Sequence, residues 1–182
     1  MNDFRLPHAG MDATEKHKGK TIVTVTSTGT ISLFPGAEGL NPIVAWVLGP
    51  RPVFDDFMFG PDWQEGCPRC SYNMDRVDSA LVHLAQRDVT FAAISRAPFA
   101  KIEAFRKRMG WRFNWVSSYE SDFNYDFHVS FTKDEMAKGE VYYNFDMTEF
   151  GSEEAPGISV FYKDTTGEIF HTYSGYARAL DN

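Results

Sequence analysis

The stretch Gly66-Cys67-Pro68-Arg69-Cys70-Ser71 holds both cysteines of a 182-residue chain, three positions apart. On one turn of helix, positions i and i+3 are neighbours, with Cβ atoms roughly 5–6 Å apart. A disulfide needs a Cβ separation of about 3.5–4.5 Å. A modest rotation therefore lets the pair open and close with little backbone movement. The residues that follow supply the helix: Met74, Val77, Leu81 and Leu84 recur at spacings of three and four, one apolar stripe. Pro68 suits the first helical position, where its missing N–H costs nothing. Cys67 is then the N-cap, facing unpaired backbone N–H groups and the positive end of the helix dipole. That end stabilises an anion by roughly 0.3–1 kcal/mol, and by about 2 when partly buried, which lowers a thiol pKa by roughly one unit. Arg69 adds a positive charge nearby, while Asp62 and Glu65 oppose it. The expectation is a moderately acidic Cys67 that attacks, with Cys70 one turn inside as the resolving thiol.

Two cysteines at this spacing also make half of a zinc site, and the other half would have to come from the five histidines. His83 lies on the same helix, about 20 Å beyond Cys70 at 1.5 Å per residue. His128 and His171 belong to no paired ligand motif. No metal is expected, and inert buried thiols are the remaining alternative to redox chemistry.

The net charge of −7 argues against nucleic acid or an anionic membrane surface as partner. No apolar run is long enough to span a bilayer. Residues 1–20 are polar and lack the apolar core of a signal peptide, so a cytoplasmic location is expected, where a lone cysteine pair is catalytic more often than structural.

In chain order, residues 1–20 read as a loose N-terminal arm and 21–182 as one domain. Thr21 to Thr26 is a β-branched strand, with Ile31 to Phe34 as its hairpin partner. Residues 35–52 are crowded with Pro and Gly around the apolar run Ile43 to Leu48. Val53 to Phe59 should be the central strand that feeds the cysteines, yet its middle is Asp55-Asp56. Side chains alternate along a strand, so one charge falls on each face. A buried carboxylate beneath the dithiol could take the proton of the resolving thiol, and Asp56 is the candidate proton acceptor. Trp63 either packs on the rim of the site or caps the core, and the rim is preferred because loops at strand ends carry function. Val89 to Ser95 is a strand of the parallel-sheet type, Phe99 to Met109 a helix ended by Gly110, and Phe113 to Ser117 a further strand. Trp111 to Phe131 is dense in aromatics destined mostly for the core. Asp134 to Lys138 reads as a short helix and Val141 to Phe145 as a strand. Ile158 to Tyr162 and Glu168 to Ser174 form a hairpin, with His171 facing out, and Tyr176 to Leu180 begins a helical turn.

The order strand, dithiol helix, strand, helix, strand, proline, hairpin resembles the thioredoxin fold. The resemblance implies a cis-proline at Pro156, facing the cysteines and shaping a backbone edge near Ala155 on which a peptide could add as a strand. Phe57 to Trp63 followed by Gly66 to Ser71, together with Ser95-Arg96-Ala97-Pro98, Arg108-Met109-Gly110-Trp111, Ser121 to Phe127 and Phe170 to Ser174, resembles a bacterial thioredoxin-like family of unknown function whose members are labelled predicted dithiol–disulfide oxidoreductases. The fold implied is α/β, a thioredoxin-like central mixed sheet flanked by helices, with a peroxiredoxin-like elaboration in the middle of the chain. The breakers before Phe57 depart from the family's apolar entry strand. They suggest a displaced central strand, with an exposed edge open to pairing as a homodimer.

The activity expected is thiol–disulfide exchange: Cys67 attacks a disulfide of a protein or small molecule, Cys70 resolves the mixed disulfide, and Pro156, Trp63 and Arg69 bind substrate. No cofactor is needed, and an external thiol reductant recycles the pair. Peroxide reduction is the alternative, although Gln64 and Glu65 stand where the peroxide-reducing relatives carry a Thr. A non-catalytic thioredoxin-like binding module is the third reading.

Overall fold

A computed structural model describes residues 22–25, 31–34, 50–165 and 169–180. The expected N-terminal hairpin is present: β1 (Ile22–Val25) pairs antiparallel with β2 (Ile31–Phe34). The arm at residues 1–20 and the apolar run Ile43 to Leu48 lie outside the described residues.

The main sheet begins at β3 (Arg51–Asp56). It is followed by α1 (Pro68–Ala85), β4 (Val89–Ser95), α2 (Phe99–Met109) and β5 (Asn114–Ser117). Two single-turn helices come next, α3 (Phe123–Asp126) and α4 (Lys133–Met136). A small antiparallel hairpin of β6 (Val141–Tyr143) and β7 (Asp146–Thr148) leads to β8 (Gly157–Lys163) and β9 (Ile169–Tyr176), and a 3₁₀ turn runs from Ala177 to Leu180. The five-stranded sheet has the order β5-β4-β3-β8-β9. β3 runs parallel to β4 and antiparallel to β8, β4 is parallel to β5, and β8 is antiparallel to β9.

The expectation of a displaced central strand is therefore corrected. β3 is the middle strand and pairs on both sides. Its breakers are tolerated by position: Pro52 precedes Val53, the first residue in register with β8, and both carboxylates fall at the strand's C-terminal end. Among the described residues the sheet edges are β5 and β9.

Each sheet face carries its own aromatic core. On the α1 and α2 face, Phe57, Phe59, Met74, Phe91, Ile102, Phe105, Trp111, Phe113 and Trp115 are buried together. Phe57 and Trp115 approach to 4.5 Å between ring centroids. On the other face, Phe54 packs at 5.5 Å from Phe161 and 6.1 Å from Phe123, joined by Phe127, Tyr143 and Tyr176. The aromatic run from Trp111 to Phe131 thus divides between both layers, because β5 ends one face and α3 begins the other. The basic residues of α2 serve packing: Arg106 binds Glu103 at 2.9 Å, Arg108 binds Glu65, and Lys101 donates to the carbonyls of Pro61 and Trp63 at 2.8 and 3.1 Å.

His171 departs from its outward expectation. The β8–β9 register shifts between Val160 and Phe161, pairing Val160 with Tyr173 but Phe161 with His171. A bulge of this kind re-aims side chains, and the imidazole stacks on Phe161 at 4.8 Å.

Phe54 and Asp56 share one face of β3. Asp56 is 2 % exposed, and its Oδ1 has no hydrogen-bond partner among the described residues. Burial, then the charges of Asp55 and Glu154, hold its carboxyl well above the usual range. In the unfolded chain it ionises near about 3.9. Folding therefore takes up a proton above that value, and stability falls as pH rises. Asp56→Asn removes this term, so its urea midpoint should gain on the parent's as pH rises from about 5 to 8. An equal pH slope in both proteins would refute the neutral carboxyl. Phe54→Ala should cost about 3–5 kcal/mol in urea unfolding, because two ring contacts and a full side-chain volume are lost together.

Candidate active site

The loop from β3 to α1 is fixed before any cysteine is reached. Phe57 N–H donates to Ile94 O at 2.9 Å, Ala97 N–H to Phe59 O at 2.8 Å, and Ser95 Oγ to Phe57 O at 2.6 Å. Gly66 lies so close to Phe57 that a Cβ would sit 2.6 Å from the ring. Only glycine brings the chain past this ring, and the next residue is Cys67.

Cys67 is the N-cap of α1, with Pro68 at the helix start. Its N–H donates to Met58 O at 3.0 Å, and its carbonyl accepts from Ser71 N–H and Ser71 Oγ, both at 2.9 Å. Its Sγ accepts the Cys70 N–H at 3.3 Å. Both cysteines are free thiols, Cys67 partly exposed and Cys70 buried. The hydrogen bond from the Cys70 thiol is the chief cause that draws the Cys67 pKa down to about 6. Burial opposes it, and the backbone N–H groups of Cys70 and Arg69 and the Arg69 charge assist. Cys70 moves the other way: the bond it gives to Cys67, its burial, and the charges of Cys67 and Asp55 push its thiol far up.

A pocket of about 370 Å³ opens beside the two sulfurs. Of the residues expected from sequence, Cys67, Cys70, Arg69 and Pro156 line it. Trp63 does not: it is half-buried and packs with the α2-side core. Asp56 faces the opposite core. Asp55 is the carboxylate whose charge acts on Cys70, and burial pushes its own pKa up to about 7. Strand alternation separates these neighbours, and sequence alone does not say which of the two lies under the helix.

Sequence reading missed the rest of the lining, Met58, Asn73, Tyr143, Phe150, Ala177 and Leu180. Tyr143 is its brace. Its hydroxyl donates to Pro156 O at 2.8 Å and accepts the Ala177 N–H at 3.0 Å. The run Val141-Tyr142-Tyr143 signals a strand, but nothing local in it says that the strand folds back over the cysteines.

The expected geometry at Pro156 is also corrected. No cis peptide bond occurs among the described residues, so Ala155–Pro156 is trans. The adjoining edge is already in use: Ala155 N–H donates to Val129 O at 2.8 Å, Phe131 N–H to Glu153 O at 2.9 Å, and Ser130 and Glu154 form an antiparallel bridge. Arg96 and Ser130 Oγ hold the Glu154 carboxylate at 2.8 and 2.6 Å.

Among the described residues, no three His, Cys, Asp or Glu side chains come together in a metal-holding group, and no helix is long and apolar enough to cross a membrane. The arrangement brings together an N-capping thiol, a second thiol one turn behind it, the Asp55 carboxyl and a largely apolar cavity.

No curated protein matches the chain. Solved structures do. A peroxiredoxin Q of Xanthomonas campestris is 13% identical with a TM-score of 0.51, over 97% of this chain and 90% of that one. The peroxidoxin BcpB of Mycobacterium tuberculosis is 13% identical with a TM-score of 0.53, over 88% and 86%. At such identity the likeness shows the fold: a thioredoxin-like mixed sheet flanked by helices, of the kind built in peroxiredoxins. Residues 50–182, from the first residue before β3 through the dithiol helix to the end, match a single family, and the chain belongs to it: the one described as "Bacterial protein of unknown function (DUF899)".

Proposed function

We propose that this chain is a thiol–disulfide oxidoreductase with Cys67 as nucleophile and Cys70 as resolving thiol. The observation that carries the reading is the N-cap geometry: the Cys67 sulfur accepts the Cys70 N–H at the wall of a cavity. With a pKa of about 6, most of it is thiolate at neutral pH. The thiolate attacks one sulfur of a substrate disulfide, forming an S–S bond as the substrate's own S–S bond breaks and one thiolate leaves. Cys70 then gives up its proton and attacks Cys67 Sγ, releasing the second thiolate. The dithiol loses two electrons and the substrate gains them. An external thiol reductant restores the pair. Arg69 flanks the anion and Pro156 shapes the cavity.

In this reading the resolving proton goes to Asp55, whose charge reaches Cys70, and not to Asp56 on the other face. The fold likeness to peroxiredoxins favours peroxide reduction as a second reading. There Cys67 would attack a peroxide oxygen, expel an alkoxide or hydroxide, and form a sulfenic acid that Cys70 condenses to a disulfide with loss of water.

Iodoacetamide alkylation of Cys67 in Cys70→Ser should rise with pH to a plateau, with its midpoint at about 6. The serine hydroxyl still donates. In Cys70→Ala that bond is gone, and the midpoint should move up toward the free-thiol value of about 8.5. Cys70→Ser should also trap a stable mixed disulfide on Cys67, and Cys67→Ser should trap none. A Cys70→Ser midpoint at the free-thiol value defeats the assignment.

Release of that mixed disulfide by Cys70 should quicken as pH rises through about 7, following ionisation of Asp55. Asp55→Asn should remove this limb and slow release by about 10²-fold or more, while the alkylation midpoint of Cys67 stays in place. Rapid-quench mass spectrometry reads both steps. An unchanged pH limb would dismiss Asp55 as the proton acceptor.

A further inference from the structure

An extended peptide needs free backbone partners beside the sulfurs, and here several are already engaged. Ala155 N–H is bonded to Val129 O, Pro156 has no N–H, and Pro156 O is held by the Tyr143 hydroxyl. Glu153 O is bonded to Phe131 N–H, and Glu154 is bridged to Ser130. The segment before β8 is therefore already one strand of a pair made within the chain.

The same chain region closes the cavity. Tyr143 and Phe150 come from the connection between β5 and β8, and Leu180 comes from the C-terminal turn. Tyr143 ties the two together through Pro156 O and Ala177 N. At about 370 Å³, the cavity falls at the small end of ligand pockets, which run from about 300 to 1,000 Å³. Besides the cysteines the lining includes Met58, Tyr143, Phe150, Pro156 and Leu180, whose side chains, apart from the engaged Tyr143 hydroxyl, present carbon and one thioether. The other polar side chains of the lining are Arg69 and Asn73.

We propose that the substrates of this site are small disulfides bearing an apolar substituent, bound whole in the cavity, and not disulfides within protein chains. The proposal rests on the dithiol reading. The cavity takes the apolar arm, Cys67 attacks the nearer sulfur, and two small thiols leave, while Cys67 and Cys70 end as a disulfide.

The test is single-turnover oxidation of the full reduced chain, followed by acid quench and mass spectrometry. Three oxidants are compared: di-n-propyl disulfide, bis(2-hydroxyethyl) disulfide and insulin. The first two differ only by a terminal methyl against a hydroxyl; the hydroxyl makes its thiol the better leaving group, so each rate is divided by that of free dithiothreitol. The apolar disulfide should be preferred over its hydroxyl counterpart by about tenfold or more, the scale on which an apolar pocket discriminates, and insulin should be the slowest. Leu180→Asp and Phe150→Asp should each erase the preference; circular dichroism identifies which variant is folded, and a folded one decides. Insulin reacting fastest, or no preference between the two small disulfides, overturns the proposal and leaves the dithiol reading intact. Failure of all three oxidants to form the Cys67–Cys70 disulfide, with hydrogen peroxide forming it, overturns both.

Discussion

A single acceptor bond, from the Cys70 N–H to the Cys67 sulfur, sets conditions on everything around it. A helix N-terminus leaves its first N–H groups unpaired, and here a sulfur fills the place that a Ser, Thr, Asp or Asn side chain usually takes. For that, Cys67 must be non-helical while Pro68 is already helical, and its φ of −56 and ψ of 125 meet the requirement. The residue before it must pass within touching distance of Phe57, which demands Gly66. Phe57 must in turn be immobile, and it is held among Phe105, Trp111 and Trp115 at 4.5 to 6.2 Å. The aromatic core beneath the dithiol is thus the template against which the capping turn is cast. The cost of ordering that turn is met by burial elsewhere, so the thiolate itself need not stabilise the fold.

The same strand that delivers the turn makes two adjacent aspartates into different chemical groups. Asp55 falls on the cysteine side, where its charge raises Cys70, while Asp56 falls among Phe54, Tyr143 and Tyr176 with one oxygen unpartnered. A carboxylate left without a partner in such a place is expensive, and the neutral acid is far less so. Keeping Asp56 protonated resolves the conflict between its burial and the nearby Glu154. Glu154 carries donors of its own, Arg96 and Ser130.

Local patterns carried the order of the elements from β3 to α2 and the final hairpin, because each is a period-two or 3.6-residue run closed by a recognisable breaker. The Cys67 N-cap followed from Pro68 and the stripe through Met74. What local pattern could not carry was any choice between two sides of one strand. The sequence shows that Asp55 and Asp56 diverge, but not which one meets the helix, since that depends on the side of the sheet to which α1 crosses. Trp63 packs against the α2-side core, one of the two places expected for it, and its loop is tied down by Lys101 from α2, a partner 38 positions away in sequence. The prolines of residues 35–52 suggested a weakened centre, yet the register with β8 starts at Val53 and so passes Pro52 by. His171 was misassigned because a bulge reverses the alternation on which the reading relied.

The most consequential unread feature is the return of residues 118–154 over the cysteine end of the sheet. A free strand edge is a hazard as well as a binding surface. Here the segment before β8 pairs with the chain's own residues 129–131, which engages the Ala155 N–H and the Glu153 carbonyl. One set of hydrogen bonds therefore acts on both stability and access. An incoming peptide would have to break the Ala155–Val129 bond before making its own, with no net gain in hydrogen bonds. A small molecule faces no such exchange: it displaces only solvent from an apolar wall, and the hydrophobic gain is retained. On the proposed reading, selectivity for small substrates follows from how the fold completes its own sheet, with no residue set aside to exclude proteins.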